Sequence, residues 1–200
     1  DALEAAFADF DDDDSVAVAI LTGAGGTFCA GADLKGISDG RGNRVLEEGP
    51  GLVGPTRMLL TKPVIAAVEG HAVAGGLELA VWCDLRVAER SASFAVLSRR
   101  WGVPMSDGTT VRLPRLIGTS RALDMLLTAR MVNGEEAERI GLANRVVEDG
   151  TARAQAEALA LQIAAFPEIA MRSDRASAYA QADLPIDEAI GWHLAGHPEM

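Results

Sequence analysis

Between Pro63 and Cys83 the sequence reads PVIAAVEGHAVAGGLELAVWC, and apart from Glu69, His71 and Glu78 every residue in it is apolar or glycine. A strand exposed on one face would alternate apolar and polar side chains. Val64 to Val68 does not alternate, which predicts a parallel strand covered on both faces. Gly75 to Cys83 is apolar around the whole helical circumference, which predicts a buried helix. A buried strand feeding a buried helix points to an α/β architecture with both faces of its sheet covered.

The rest of the chain is consistent with that class. Val16, Val18, Ile20 and Leu21, separated only by Ala, predict a second buried parallel strand ended by Gly23 to Gly26. Leu85–Glu89, Ala92–Val96 and Ala143–Val147 read as further short strands. Leu3, Ala6, Phe7 and Phe10 share one helical face, so the chain opens inside an amphipathic helix, and Asp11 to Asp14 read as a solvated connection. Helices are expected over 110–117, over 121–130 with Ser120 as cap, and over 151–165, 167–182 and 186–194. Asn133 with Glu136 three residues on resembles a capping box at one more helix. Residues 36–56 are polar and Gly-rich, which predicts a mobile surface segment.

A net charge of −11 argues against nucleic acid and anionic membrane surfaces as partners. Cys29 and Cys83 form no CxxC and have no histidine at metal-ligand spacing, so no metal is expected, and they read as small apolar residues of a reducing, cytoplasmic setting. No apolar run is long enough to span a bilayer, and no basic segment followed by an apolar one opens the chain as a signal peptide would. GAGGTF does not complete a dinucleotide fingerprint, GK[ST] is absent, and no GxSxG elbow supports a serine nucleophile. His71 reads as structural, and His193 and His197 lie near the end of the chain.

Two loops of small residues follow the two buried strands: FCAGADLKG from Phe28 and GHAVAGG from Gly70. In a parallel sheet both would lie at the carboxyl ends of their strands, where ligands bind. The second runs into the buried helix, so the N–H groups of Gly75 and Gly76 are unpaired first-turn donors at its positive end. One donor from each loop would make an oxyanion hole. Glu78 lies one turn into this helix, where a carboxylate is either paired structurally or raised in pKa for proton transfer. Asp107, in WGVPMSDGTT, reads by its loop position as a cap or turn residue.

FCAGADLKGI, KPVIAAVEGHAVAGGLELAVWCDLRVA, GVPMSDGTTVRLPRLIG and AERIGLANRVV, in that order from about Ser15 to Val147, resemble the enoyl-CoA hydratase/isomerase (crotonase) family. The resemblance implies a spiral of ββα units over residues 1–145, then a helical C-terminal region over 146–200 that forms trimers or hexamers. It implies an acyl-CoA thioester substrate, with coenzyme A arriving as part of it and no separate cofactor. The oxyanion donors carried over by position are Ala32 and Gly75. Ala30, Asp33, Leu34, Lys35, Ala74, Leu97, Ser98 and Ser106 fall at substrate- or CoA-binding positions, with Lys35 a candidate partner for phosphate or a solvated cation. The first catalytic glutamate of the family matches Glu78.

The sequence also departs from the family. The second glutamate belongs to a stretch FGxPE that here reads FAVLS, placing Ser98 at its position. A hydroxyl is no equivalent acid or base, and such a group is worth about 10²- to 10⁴-fold in rate. Asp107 is the candidate replacement, offset by one position from the aspartate of some isomerases, where Ser106 stands. The N-terminal strand pair of the family is expected to be missing, leaving a sheet edge without its neighbour. The expected activity is enoyl-CoA hydration. The alternatives are isomerisation or other enolate chemistry, and acyl-CoA binding after decay of the catalytic pair.

Overall fold

The structure is a computed structural model that describes residues 2–40, 42 and 48–192. Its strands are β1 (Ala19–Thr22), β2 (Val64–Val68), β3 (His71–Val73), β4 (Leu85–Glu89), β5 (Ser93–Ala95), β6 (Val132–Asn133) and β7 (Arg145–Val147). Four of them form an all-parallel sheet in the order β1-β2-β4-β7, and three form a smaller sheet in the order β3-β5-β6. Cys29 bridges Ala72 in parallel, extending the smaller sheet by one more chain.

The helices are α1 (Ala2–Asp12), α2 (Leu34–Ser38), α3 (Gly75–Trp82), α4 (Thr109–Ile117), α5 (Thr119–Thr128), α6 (Gly134–Ile140), α7 (Ala152–Ala164), α8 (Glu168–Ala180) and α9 (Ile186–Gly191). A strand of the large sheet, a short strand of the small sheet and a helix recur in that order as β2, β3 and α3. This ββα unit is the repeat of the spiral.

β2 shows why its sequence does not alternate. Val64, Ala66 and Val68 face a core built with Phe94, Leu77 and Trp82, while Ile65 and Ala67 face a second one with Val87 and Ala152, Ala156 and Leu159 of α7. Both faces are dry, as a central parallel strand requires. β1 departs from expectation: among the described residues it pairs with β2 alone, at the sheet edge, and it is only half-buried. Ser120 is not the cap of α5, which starts two residues earlier than expected, at Thr119 with Gly118 at the cap position, whereas Asn133 does cap α6 by accepting from the Glu136 N–H at 2.8 Å. The expected helix over 186–194 ends as α9 at Gly191, and its last two residues and His193 and His197 lie outside the described residues.

Two connections hold the flanking helices to the sheets. Phe7 of α1 packs edge-on against Trp82 at 4.8 Å between centroids. Lys62 is fully buried, and its Nζ donates to the carbonyls of Phe10 (3.0 Å) and Asp13 (2.7 Å) at the end of α1. Asp11 answers by accepting from the N–H groups of Thr61 and Lys62. At the other end of the chain α8 buries no residue of its own. It docks through Arg175, which donates to Asp84 Oδ1 (2.8 Å) and to the Leu60 carbonyl, and through the Tyr179 hydroxyl, which donates to the same Asp84 oxygen (2.8 Å).

Lys62→Met leaves two main-chain oxygens without their donor. It is expected to lower stability by about 1–3 kcal/mol, read as a lower urea midpoint at unchanged slope.

Candidate active site

The two small-residue loops meet, though not as direct extensions of the large sheet. β1 and β2 each lead first into the small sheet, at Cys29 and at β3, and the loops leave from there. At the start of α3 the main chain is pressed against its neighbour: a Cβ on Gly76 would collide with the Cys29 carbonyl. One on Gly75 would lie 3.4 Å from Gly31 Cα, 4.0 Å from Ala32 N and 2.8 Å from Val53 Cγ1. Gly31 (φ +91°) is equally confined, since a Cβ there would stand 2.9 Å from Ala74 Cβ and 3.1 Å from Gly75 N. Among the described residues no acceptor takes the N–H of Ala32 or of Gly75. Two donors from different loops therefore flank one small space bordered by the Val53 side chain.

Ala74 carries strain at this junction. It stands at φ 52°, ψ −122°, a region suited to glycine, while its N–H donates to Ala95 and its carbonyl accepts from Leu77 and Glu78. Such a conformation costs about 1–3 kcal/mol and persists because the surroundings enforce it.

Glu78 is 4% exposed in a helix otherwise apolar on every side. Its Oε1 accepts the Asp107 N–H at 2.8 Å. Burial pushes its pKa up to about 7, and the charge of Asp107 adds to the rise against the lowering effect of the Asp107 and Thr109 N–H groups. Desolvation outweighs the hydrogen bonds.

Asp107 is 2% exposed, and its loop position alone did not foretell its setting. Oδ1 accepts from the Leu52 N–H (2.7 Å) and the Thr56 hydroxyl (2.8 Å), while Oδ2 is buried with no partner among the described residues. The donors come from the end of the segment expected to be a mobile surface loop. Residues 51–54 instead form a tight turn with reciprocal Gly51–Gly54 bonds of 3.0 Å, and Gly54, Pro55 and Thr56 are buried; residues 41 and 43–47 lie outside the described residues. Gly51 has no room for a Cβ beside Thr56 and Asp107. Arg112 of α4 donates to the carbonyls of Asp107 (2.9 Å) and Thr56 (2.6 Å). Leu52, Thr56 and Arg112 carry no motif, and the glycines of GPGLVG are the only trace of this arrangement in the sequence.

The remaining expected positions are placed as follows. Ser98 is half-buried in the 3-10 turn Leu97–Trp101, and its hydroxyl donates to Met105 Sδ at 3.1 Å, so it carries no acid or base. Leu97 is half-buried beside it and Ser106 is exposed. Ala30, Ala32, Asp33 and Lys35 are exposed along the first loop, where Asp33 Oδ1 accepts the Lys35 N–H at 3.0 Å to start α2; the Leu34 side chain lies outside what is described. His71 opens β3 with Nδ1 2.6 Å from Ser93 Oγ, at the end of that strand away from Gly75.

A family model described as enoyl-CoA hydratase/isomerase matches residues 1–192. The chain belongs to the enoyl-CoA hydratase/isomerase family. Over 187 residues it is 40% identical to the enoyl-CoA hydratase EchA19 of Mycobacterium tuberculosis, covering 90% of this chain and 70% of that protein. It is 39% identical to a carnitinyl-CoA dehydratase of Proteus mirabilis, covering 91% and 70% of the two. The solved enoyl-CoA hydratase EchA1 of Mycobacterium marinum superposes with a TM-score of 0.90 at 38% identity, covering 97% of this chain and 76% of that one. The chain is thus an acyl-CoA enzyme of the crotonase fold, of the lyase or isomerase type.

Two outcomes test the site as built. Ala74→Gly relieves the strained φ and is expected to raise stability by about 0.5–1 kcal/mol, against the usual sign of an Ala to Gly change, read as a higher melting temperature. Because the pKa of Glu78 is raised, its protonation stabilises the fold. That contribution is present below its ordinary 4.5 and is lost as the pH climbs through about 7. Glu78→Gln is therefore expected to exceed the parent in stability by about 1–3 kcal/mol at pH 8 and to match it near pH 4.5, by denaturant melts at both pH values.

Proposed function

We propose that this enzyme catalyses reversible addition of water across the 2,3 double bond of an enoyl-CoA. The observation that carries the reading is the pairing of Glu78 with Asp107 beside the two unpaired N–H groups. The thioester oxygen lies between the Ala32 and Gly75 donors, which stabilise negative charge as it builds there. Asp107 Oδ2 takes a proton from water as the water oxygen bonds C3, and the electrons of the double bond move onto the thioester as an enolate. Protonated Glu78 then delivers its proton to C2. The sum is one water added, and the pair ends with its single proton moved from Glu78 to Asp107. Asp107 thereby does what Ser98 cannot. Both relatives named above bear names of water addition or removal, which supports this chemistry over others in the family.

The exposed first loop, with Ala30, Asp33 and Lys35, is the proposed seat of the CoA moiety, and no separate cofactor is required. Trimers or hexamers in the cytoplasm complete the reading. Leu161, Phe166, Ile169, Ile186 and Ile190 stand exposed on the C-terminal helices, the kind of apolar surface that subunit contact covers. A second reading, shift of the double bond between C2 and C3, is favoured by the depth and raised pKa of Glu78, since that reaction needs one base.

Asp107→Asn separates them. With crotonyl-CoA as substrate, loss of about 10²- to 10⁴-fold in kcat is expected for both Glu78→Gln and Asp107→Asn if water is added. Unchanged hydration in Asp107→Asn removes this role, and retained 3-enoyl isomerisation with hydration lost in that variant selects the second reading. Hydration neither consumes nor releases a proton, so the pair must hold one proton in either direction. kcat/KM is expected to fall as the pH rises through about 7 both for hydration and for dehydration, with superimposable profiles.

A further inference from the structure

Arg112 is the cation nearest the paired carboxylates in the chain of hydrogen bonds, yet its guanidinium bonds main-chain oxygens, not the carboxylates. One nitrogen holds the Asp107 carbonyl and the other the Thr56 carbonyl, 56 residues away in sequence. Thr56 in turn donates its hydroxyl to Asp107 Oδ1. A closed ring results: Arg112 grips the backbone of the residue that carries the carboxylate and of the residue that orients it. Gly108, at φ +96°, completes the fit, because a Cβ there would run into Arg112 Nη1. The ring uses up Oδ1 and leaves Oδ2 as the free oxygen.

We infer that Arg112 is a positioning residue for the reaction, setting where Asp107 Oδ2 stands by tying the turn at Thr56 to the loop before α4. The inference rests on Asp107 acting on water. Misplacing a reacting group by about 1 Å costs on the order of 10²-fold in rate without weakening substrate binding. The guanidinium is partly buried, which lowers its pKa, and Tyr179, Glu78, Asp107 and Cys83 are the titratable groups whose charges act on it.

The test compares Arg112→Met, Arg112→Lys, Asp107→Asn and the Asp107→Asn/Arg112→Met double variant in crotonyl-CoA hydration, each with a thermal melt. Arg112→Met is expected to lose about 10- to 100-fold in kcat with KM within about 2-fold, and to shift the pH limb near 7 upward through loss of a nearby positive charge. Arg112→Lys, which keeps the charge but not the fork, is expected to leave that limb in place and recover part of kcat. In the Asp107→Asn background the second change is expected to cost nothing further, since Arg112 acts through Asp107. Full kcat in a folded Arg112→Met, or an additional loss in the double variant, overturns the inference. Should Arg112→Met fail to fold, Arg112→Lys decides, and wild-type kcat there overturns it. Asp107→Asn with undiminished kcat instead defeats the hydration role of Asp107 itself, and is told apart because it requires no change at Arg112.

Discussion

The start of α3 lies so close to the Cys29 chain that Gly76 has no space for even a methyl group, and the meeting of the two small-residue loops depends on that contact. It brings Gly75 against Gly31 and Ala32, so main-chain nitrogens of loops more than 40 residues apart in sequence lie close together. It fixes the rotation of α3 and hence the direction in which Glu78 points. It also forces Ala74 into a conformation that an L-residue avoids. Strain at the junction and accuracy at the site share one cause, since a relaxed turn would let the two loops drift apart.

Buried charge is handled in two ways. Lys62 and Arg86 are fully buried, and both are surrounded by main-chain oxygens. Arg86 donates to the carbonyls of Leu142 (2.6 Å) and Cys83 (2.7 Å), closing the C-terminal end of α3. These cations replace water as partners of chain ends, and their bonds are spent on main-chain oxygens, not on a ligand. Glu78 and Asp107 differ. One has its pKa raised to about 7 by burial, and the other keeps an oxygen without a partner. The fold bears that cost at the two residues that the buried N-terminal half of α3 and the loop before α4 bring together.

Much of this was legible in the sequence. The uniform apolarity of Gly75 to Cys83 could only be a buried helix, and the two-sided apolarity of Val64 to Val68 only an interior strand. The glycines and alanines of both loops pointed to close main-chain approach, and the structure has it. Other features were not legible, for identifiable reasons. β3 and β6 are three and two residues long, too short for a period of two to register. The role of residues 51–56 depends on bonds to Asp107 across 51 to 55 positions, and nothing local distinguishes such a turn from a solvent loop. Asp107 read as a turn residue because its position is one; what sets it apart is the company its carboxylate keeps.

α8 is fastened at the rim of the large sheet by two anchors on a single carboxylate, Arg175 and Tyr179 on Asp84, and not by filling a cavity. Volume-filling packing makes neighbouring positions interdependent, so they must change together. Two polar anchors impose no such bargain. Loss of the Asp84 carboxylate would therefore loosen both anchors at once and release the helix, while the glycine contact beneath the two loops stays as it is.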